Sequence, residues 1–149
     1  MRKYKVPENT ISLVEEDAEE YNKERDFTTL ECWKKAREVK LFFYKKIIPV
    51  IPKEEEFNLK FQIRKAGVSA TANISEGYGR FHYQEGIQFY RISRGSIYEL
   101  KDHLISCFDL KYADENLFKE GMVLIEDAKK ILNGYINFVK KQKQNSNSQ

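Results

Sequence analysis

The sequence is poor in residues that interrupt helices and in residues that cross-link small folds. Of its 149 residues, three are proline (Pro7, Pro49 and Pro52), seven are glycine and two are cysteine. Cys32 and Cys107 form neither a CxxC motif nor a metal-ligand cluster, and this favours reduced thiols over a disulfide bridge. A chain of this length buries enough surface to be stable without disulfides or metal ions. We therefore expect one domain with reduced cysteines.

Long apolar runs are also missing. No run comes near the roughly 18 residues that a membrane-spanning helix needs. The first ten residues, MRKYKVPENT, lack the apolar core of a signal peptide. Together with the reduced cysteines, these absences predict a cytoplasmic protein without membrane contact.

Charge is distributed unevenly along the chain. Residues 1–26 contain five basic and eight acidic side chains, a net charge of −3, while the whole chain carries +3. Residues 27–149 therefore carry 3 − (−3) = +6. Such a surplus serves solubility, and it is also typical of a protein that binds a polyanion such as RNA or DNA.

The first predicted helix begins at Thr28, where Thr28-x-x-Glu31 forms a capping box. It continues to Ile47, and Pro49 and Pro52 end it. Its buried stripe consists of Cys32, Ala36, Val39, Phe43 and Ile47.

Three further segments carry apolar residues at helical spacing. The second predicted helix spans about 53–76, with acids at 54–56 in its first turn, where the helix dipole favours them, and Gly77 as its C-terminal cap. The third spans about 83–110 and the fourth about 115–141.

These four helices predict an all-α fold, an antiparallel up-and-down four-helix bundle over residues 27–141. Residues 1–26 form an acidic N-terminal arm or a short extra helix, because 9–21 show a weak apolar face. Residues 142–149 have no apolar face, and we expect a disordered tail.

The segment 62–80 sets polar side chains where an ordinary helix is apolar. The polar positions recur in steps of three and four residues, which puts them on one helix face, beside small residues that let a neighbour approach closely. We interpret this face as a structural polar network that braces the second helix against the third. Its members are Gln62, Ser69, Asn73, Glu76, Arg80, Ser93 and Ser96. An active site is the alternative interpretation, but no base, metal ligand or activated nucleophile joins these residues.

Three motifs carry a family resemblance. They are Phe27-x-x-Leu30-x-x-Trp33, then Gln62-x-Arg64-x-Ala66-x-x-Ser69-x-x-x-Asn73-Ile74-x-Glu76-Gly77-x-Gly79-Arg80, then Ser93-x-Gly95-Ser96-x-x-Glu99-Leu100. Together they resemble the "four helix bundle protein" family, which includes proteins encoded in intervening sequences of bacterial 23S ribosomal RNA genes and Avd, the accessory protein of diversity-generating retroelements.

The resemblance covers roughly residues 27–140. It implies a non-enzymatic bundle that assembles as a ring-shaped homopentamer and binds nucleic acid. In the retroelement branch it also implies a reverse transcriptase as partner. The first 26 residues depart from the family pattern, which leaves their role open.

Two groups of side chains are candidates for contacts with partners. Basic residues on polar helix faces could bind phosphates, although a solvated surface is the alternative for each one: Lys34, Arg37, Lys40, Lys60, Arg64, Arg91 and Arg94. Aromatic residues near the turn between the second and third helices could stack on bases, but we favour a subunit interface for them: Tyr78, Phe81 and Tyr83.

Enzymatic interpretations have little support. A di-iron bundle needs paired Glu-x-x-His elements, and neither His82 nor His103 is preceded by one. Gly77-Tyr78-Gly79 lacks the third glycine of a dinucleotide-binding loop. We expect no catalytic residues, no metal and no cofactor. Two functions remain: an oligomer that binds RNA or DNA, and a protein adaptor such as an accessory subunit of a reverse transcriptase.

Overall fold

The computed structural model describes residues 26–148, which form four long helices joined by short turns. The helices are α1 (Glu31–Phe42), α2 (Leu59–Gly79), α3 (Tyr83–Asp109) and α4 (Glu115–Asn147). No strand occurs in this part of the chain, so the predicted all-α fold is confirmed. The predicted arm and its weak amphipathic segment lie outside the described residues, apart from Asp26.

α1 begins later than predicted. Phe27–Thr29 form a 3-10 turn, and the Asp26 carboxylate accepts hydrogen bonds from the Phe27 backbone N–H at 2.8 Å and the Thr28 hydroxyl at 2.9 Å. The predicted capping box is therefore wrong, because Thr28 lies inside the 3-10 turn and the N-cap of α1 is Leu30, which makes no side-chain capping bond.

The predicted buried stripe of α1 is confirmed. Cys32, Ala36, Val39, Phe43 and Ile47 are all buried. Phe43–Ile47 form a π turn and Ile48–Val50 a 3-10 turn that contains Pro49, and this is how the helix ends. The neighbouring Phe42 is also buried, and its ring meets that of Phe43 edge to face at 5.7 Å.

α2 begins and ends later than predicted. The acids at 54–56 precede the helix, since Lys53–Glu55 form a 3-10 turn. The Glu55 carboxylate accepts from the Leu59 N–H at 3.2 Å, so one of these acids binds the helix start from outside. Gly77 is not a cap but lies buried within the last turns of α2, facing α3.

α3 matches its prediction closely, whereas α4 is longer than predicted. α4 continues to Asn147, so the predicted disordered tail is wrong for residues 142–147. Lys and Gln have high helix propensity, so this segment can continue the helix although it has no apolar face. The Lys143 ammonium also donates to the Gln84 side-chain oxygen of α3, which holds this part of α4 against its neighbour.

α2 and α3 pack most closely near one end. A Cβ atom at Gly77 would lie 3.0 Å from the Gly86 carbonyl oxygen and 2.7 Å from the Tyr90 ring. Further along, Ser93 bonds to Ala70 and Ser96 to Ser69. Residue numbers therefore rise in one helix as they fall in the other, so this pair runs in opposite directions. The up-and-down order of the whole bundle stays a prediction.

The helices enclose one apolar core. Its largest fully buried side chains come from all four helices and include Phe43, Ile63, Ile74, Ile97, Leu100, Leu104, Ile125 and Leu132. Across residues 26–148, no helix is long and apolar enough to cross a membrane.

Candidate nucleic-acid interface

The middle of the α2–α3 contact contains hydrogen-bonded polar side chains. The Ser96 hydroxyl donates to the Ser69 hydroxyl oxygen at 2.7 Å, and the Asn73 amide donates to the same oxygen at 2.8 Å and to the Ser69 carbonyl at 2.9 Å. The Ser93 hydroxyl, which is fully buried, donates to the Ala70 carbonyl at 2.6 Å. Four members of the predicted polar network are thus brought together between the helices.

The other three predicted members of this network do not join it. Gln62 is exposed. Glu76 and Arg80 form a surface ion pair at 2.8 Å, and the Arg80 guanidinium lies 5.1 Å from the centre of the Phe89 ring. An acid near the C-terminal end of a helix is disfavoured by the helix dipole, and Arg80 one turn later compensates that charge. Glu76 thus pairs with Arg80 rather than with Ser93 or Ser96, and its role in bracing the two helices stays a prediction.

Three of the predicted phosphate-binding cations are already paired with carboxylates. Lys34 lies 3.1 Å from Glu31, and Lys60 and Arg64 lie 3.3 Å and 2.7 Å from Glu56. The hydrogen bond from Arg64 lowers the pKa of the Glu56 carboxyl, so this acid keeps its charge. A phosphate at these sites would have to compete with a resident anion.

Three further predicted cations have neutral partners. The Lys40 ammonium donates to the Thr71 hydroxyl at 3.0 Å, and the Arg94 guanidinium donates to the Asn133 amide oxygen at 3.0 Å. Arg37 lies over the Trp33 ring, 5.9 Å from its centre. These contacts orient the side chains and leave their charge uncompensated.

The remaining candidate, Arg91, opens onto a groove between the start of α3 and the end of α4. The groove has a volume of about 310 Å³ and is lined by Gln84, Ile87, Arg91, Lys140, Lys143, Gln144 and Asn147. None of these side chains is a carboxylate. Within residues 26–148, neither Arg91 nor Lys140 has an acidic partner within ion-pair distance. We call this feature the α3–α4 groove.

Helical spacing explains why these residues meet. Positions 84, 87 and 91 follow one face of α3, and positions 140, 143, 144 and 147 follow one face of α4. Sequence reasoning missed Lys143 because it ended the last helix at 141 and treated the rest as a tail, and it passed over Lys140 although that residue lies within the predicted helix. Their three-residue spacing, continued to Gln144 and Asn147, was the signal that could have found them.

The predicted interface aromatics have different environments. Phe81 is 58% exposed and has a positive φ of 50°, which turns it outward at the α2–α3 turn, and its ring meets that of Tyr78 edge to face at 6.1 Å. Tyr83 is half-buried and packs against the apolar core. Of the three, Phe81 is the most exposed to solvent.

Both cysteines are buried and unbonded. Burial raises the pKa of the Cys32 thiol to about 12 and that of the Cys107 thiol to about 11. Neither thiol is an activated nucleophile. Within the described part of the chain, no group of three or more His, Cys, Asp and Glu side chains could hold a metal ion.

Fold and surface together define a helical bundle with a basic groove along one helix–helix seam. The model of the family described as "23S rRNA-intervening sequence protein" matches residues 28–134, well over half of the chain. The chain belongs to that family, as the sequence motifs predicted. No curated protein matches the chain. Arg91 lies within the matched residues, and Lys140 and Lys143 lie beyond them.

Proposed function

We propose that this protein is a non-enzymatic RNA-binding protein and that the α3–α4 groove contacts the phosphate backbone. The observation that supports this proposal most is the meeting of Arg91, Lys140 and Lys143 in one groove that has no carboxylate among its described lining residues. Arginine and lysine are the side chains that bind phosphates. Within residues 26–148, these three cations form no ion pair with a carboxylate.

The groove suits backbone contacts better than base recognition. It presents three cations and three amides, and phosphate contacts position a protein on nucleic acid without reading its sequence. We therefore expect binding that tolerates many sequences and falls steeply with salt, since each phosphate neutralised releases condensed counterions.

Assembly would strengthen this binding. The family resemblance implies a homopentamer, and five chains of net charge +3 would carry 5 × 3 = +15. Several grooves on one assembly could hold one RNA at once, so weak contacts would add up to useful affinity.

The test is the affinity of the purified protein for a fluorescently labelled RNA hairpin, measured by anisotropy at several salt concentrations. In the variant R91Q/K140Q/K143Q we expect affinity to fall by about tenfold or more at low salt. The negative slope of log K against log salt should become shallower by about two to three, because each lost phosphate contact removes about 0.7 to 0.9 from its magnitude.

A matched control removes the same charge elsewhere. Lys45, Lys53 and Lys65 are exposed and lie outside the groove, and K45Q/K53Q/K65Q changes the net charge equally. An equal loss of affinity in both variants would show that only net charge matters. Undetectable or salt-independent binding by the unaltered protein would rule the proposal out.

Exposed aromatic residues favour a second candidate, a protein adaptor. Phe57, two residues before α2, is 94% exposed, and Phe61, in the first turn of α2, is 52% exposed. Large apolar side chains with this exposure suit a protein interface, either with another copy or with a polymerase of the reverse-transcriptase class that the resemblance implies. Two results together would favour this candidate. A second protein would copurify with the unaltered chain but not with the variant F57S/F61S, and the unaltered chain alone would bind RNA weakly.

A further inference from the structure

The N-terminal sequence is strongly acidic where the described chain is basic. Between Val6 and Asn22 there are six carboxylates and no basic side chain. We call this stretch the acidic segment; its carboxylates are Glu8, Glu15, Glu16, Asp17, Glu19 and Glu20. The described lining of the α3–α4 groove has the opposite composition, with three cations and no carboxylate.

The described chain begins at the same end of the bundle as the groove. Tyr44 lies against Gly67 while Lys40 bonds to Thr71, so earlier residues of α1 approach later residues of α2. The Phe27–Thr29 turn accordingly contacts α2, whose last turns pack on Gly86 and Tyr90 of α3.

The same end includes the C-terminal half of α4. The Tyr90 ring lies 5.1 Å from that of Tyr135, and the groove runs beside these residues from Gln84 to Arg91 and from Lys140 to Asn147. These contacts support the up-and-down order predicted for the bundle, in which the start of α1, the end of α2, the start of α3 and the end of α4 share one end of the molecule.

We propose that the acidic segment binds in the α3–α4 groove of its own chain and competes there with nucleic-acid phosphates. The competition with nucleic acid rests on the proposed function, whereas the contact between the acidic segment and the groove is independent of it. The six residue steps from Glu20 to Asp26 span up to about 20 Å. Neighbouring helix axes are about 8 to 10 Å apart, so the segment can reach the groove across the end of the bundle.

Tethering makes a weak contact sufficient. A segment joined by a short linker is present at an effective concentration in the millimolar range, so individually weak ion pairs can keep the groove occupied. Each pair is screened by salt and exchanges readily, which allows a long polyanion to displace the segment. The acidic segment would thus raise the threshold for binding and select for long or multiply bound nucleic acid.

The contact can be tested without nucleic acid. A nitroxide attached at S12C would broaden nearby amide signals in an NMR spectrum of the full chain, and the buried Cys32 and Cys107 would escape labelling. We expect broadening at Gln84–Arg91 and Lys140–Gln144 and none at Leu59 or Asp109, at the other end of the bundle. The broadening should disappear in 1 M salt and in R91Q/K140Q/K143Q.

Absent broadening at the groove, or broadening that survives loss of the three cations, would overturn the proposal. Those results would mean that the segment stays in solvent or binds elsewhere.

The competition is tested by charge removal in the full chain. E15Q/E16Q/E19Q/E20Q should bind the RNA hairpin at least about threefold more tightly at low salt. The matched control E54Q/E99Q/D102N/D109N makes the same charge change at exposed positions far from the groove and should have a smaller effect. An equal gain in RNA affinity in both variants would contradict the proposed competition. If no variant binds RNA, the proposed function fails, while groove broadening would still support the segment contact.

Discussion

Two glycines of α4 are in opposite environments, although both lie within the helix. A Cβ atom at Gly121 would lie 2.6 Å from the Leu104 side chain and 2.7 Å from the Phe42 ring, whereas no atom of the described residues lies within 4 Å of a Cβ at Gly134. At Gly121, α4 therefore closely approaches both α3 and the end of α1. At Gly134 the glycine has no such contact within residues 26–148.

Alanine at these two positions should therefore change stability in opposite directions. We expect G121A to lower the free energy of unfolding by about 1 to 3 kcal/mol through overpacking. We expect G134A to raise it by about 0.5 to 1 kcal/mol, because alanine favours the helix. Urea denaturation of both variants checks this, and a stable G121A would mean that the core can yield at Leu104 and Phe42.

His103 is a half-buried histidine without a full set of partners. Its Nε2 atom is buried and has no hydrogen-bond partner within residues 26–148, and its Nδ1 atom lies 3.8 Å from the Asp102 carboxylate. Burial lowers the pKa of the imidazole in spite of the acids at 99 and 102. The folded protein therefore holds this side chain in its neutral form.

This shift makes stability depend on pH. The unfolded histidine titrates near pH 6.5, so below that pH the unfolded chain binds more protons and folding stability falls as pH falls. Replacing His103 by leucine should flatten the dependence between about pH 7.5 and about pH 5. Melting temperatures of both proteins across this range check the prediction; parallel curves would contradict it.

Ion pairs show which residue contacts the sequence could predict. Glu56 lies four residues before Lys60, a spacing that predicts pairing within a helix, and the pair forms at 3.3 Å although Glu56 itself precedes α2. The longer contact from Glu56 to Arg64 was not, because it depends on the turn that ends at Asn58.

At the scale of elements, the α2–α3 contact depends on small polar residues. Ser93 is fully buried and donates across the helix pair, whereas Ser75 donates within α2 to the Ala72 carbonyl at 2.9 Å. Both are serines that bond to a backbone carbonyl, but only Ser93 joins two helices.

We expect S93A to lower the free energy of unfolding by about 0.5 to 1.5 kcal/mol, the usual value for a buried hydrogen bond. S75A should change it by less than about 0.5 kcal/mol, as an exposed substitution does. Thermal or urea unfolding of the two variants decides between them. Equal effects would mean that the bond from Ser93 to Ala70 contributes nothing to packing.

Helical periodicity predicted the four helices and the buried stripe of α1, because apolar spacing reports directly which face is buried. Helix ends were predicted less well. Thr28 lies in the 3-10 turn capped by Asp26 rather than at the start of α1, and Gly77 packs on α3 within a helix that continues to Gly79. Such ends depend on tertiary neighbours that no local pattern contains.

For the whole molecule, the candidate site was only partly predictable. Arg91 was found from the sequence, but the groove requires Lys140 and Lys143, which lie about fifty residues further along the chain. Their proximity is a consequence of how α3 packs on α4. Charge counts could predict that residues 27–149 are basic, but only the fold could show that these three cations lie in one groove.

The glycine pair between α2 and α3 has a consequence for movement. Gly77 faces Gly86, with Tyr90 beside them. If α3 slid along α2 by one helical turn, Gly77 would face a tyrosine or a histidine, and neither fits where two backbones almost touch. The close approach at this pair therefore favours one register of α2 against α3 and resists sliding of one helix along the other.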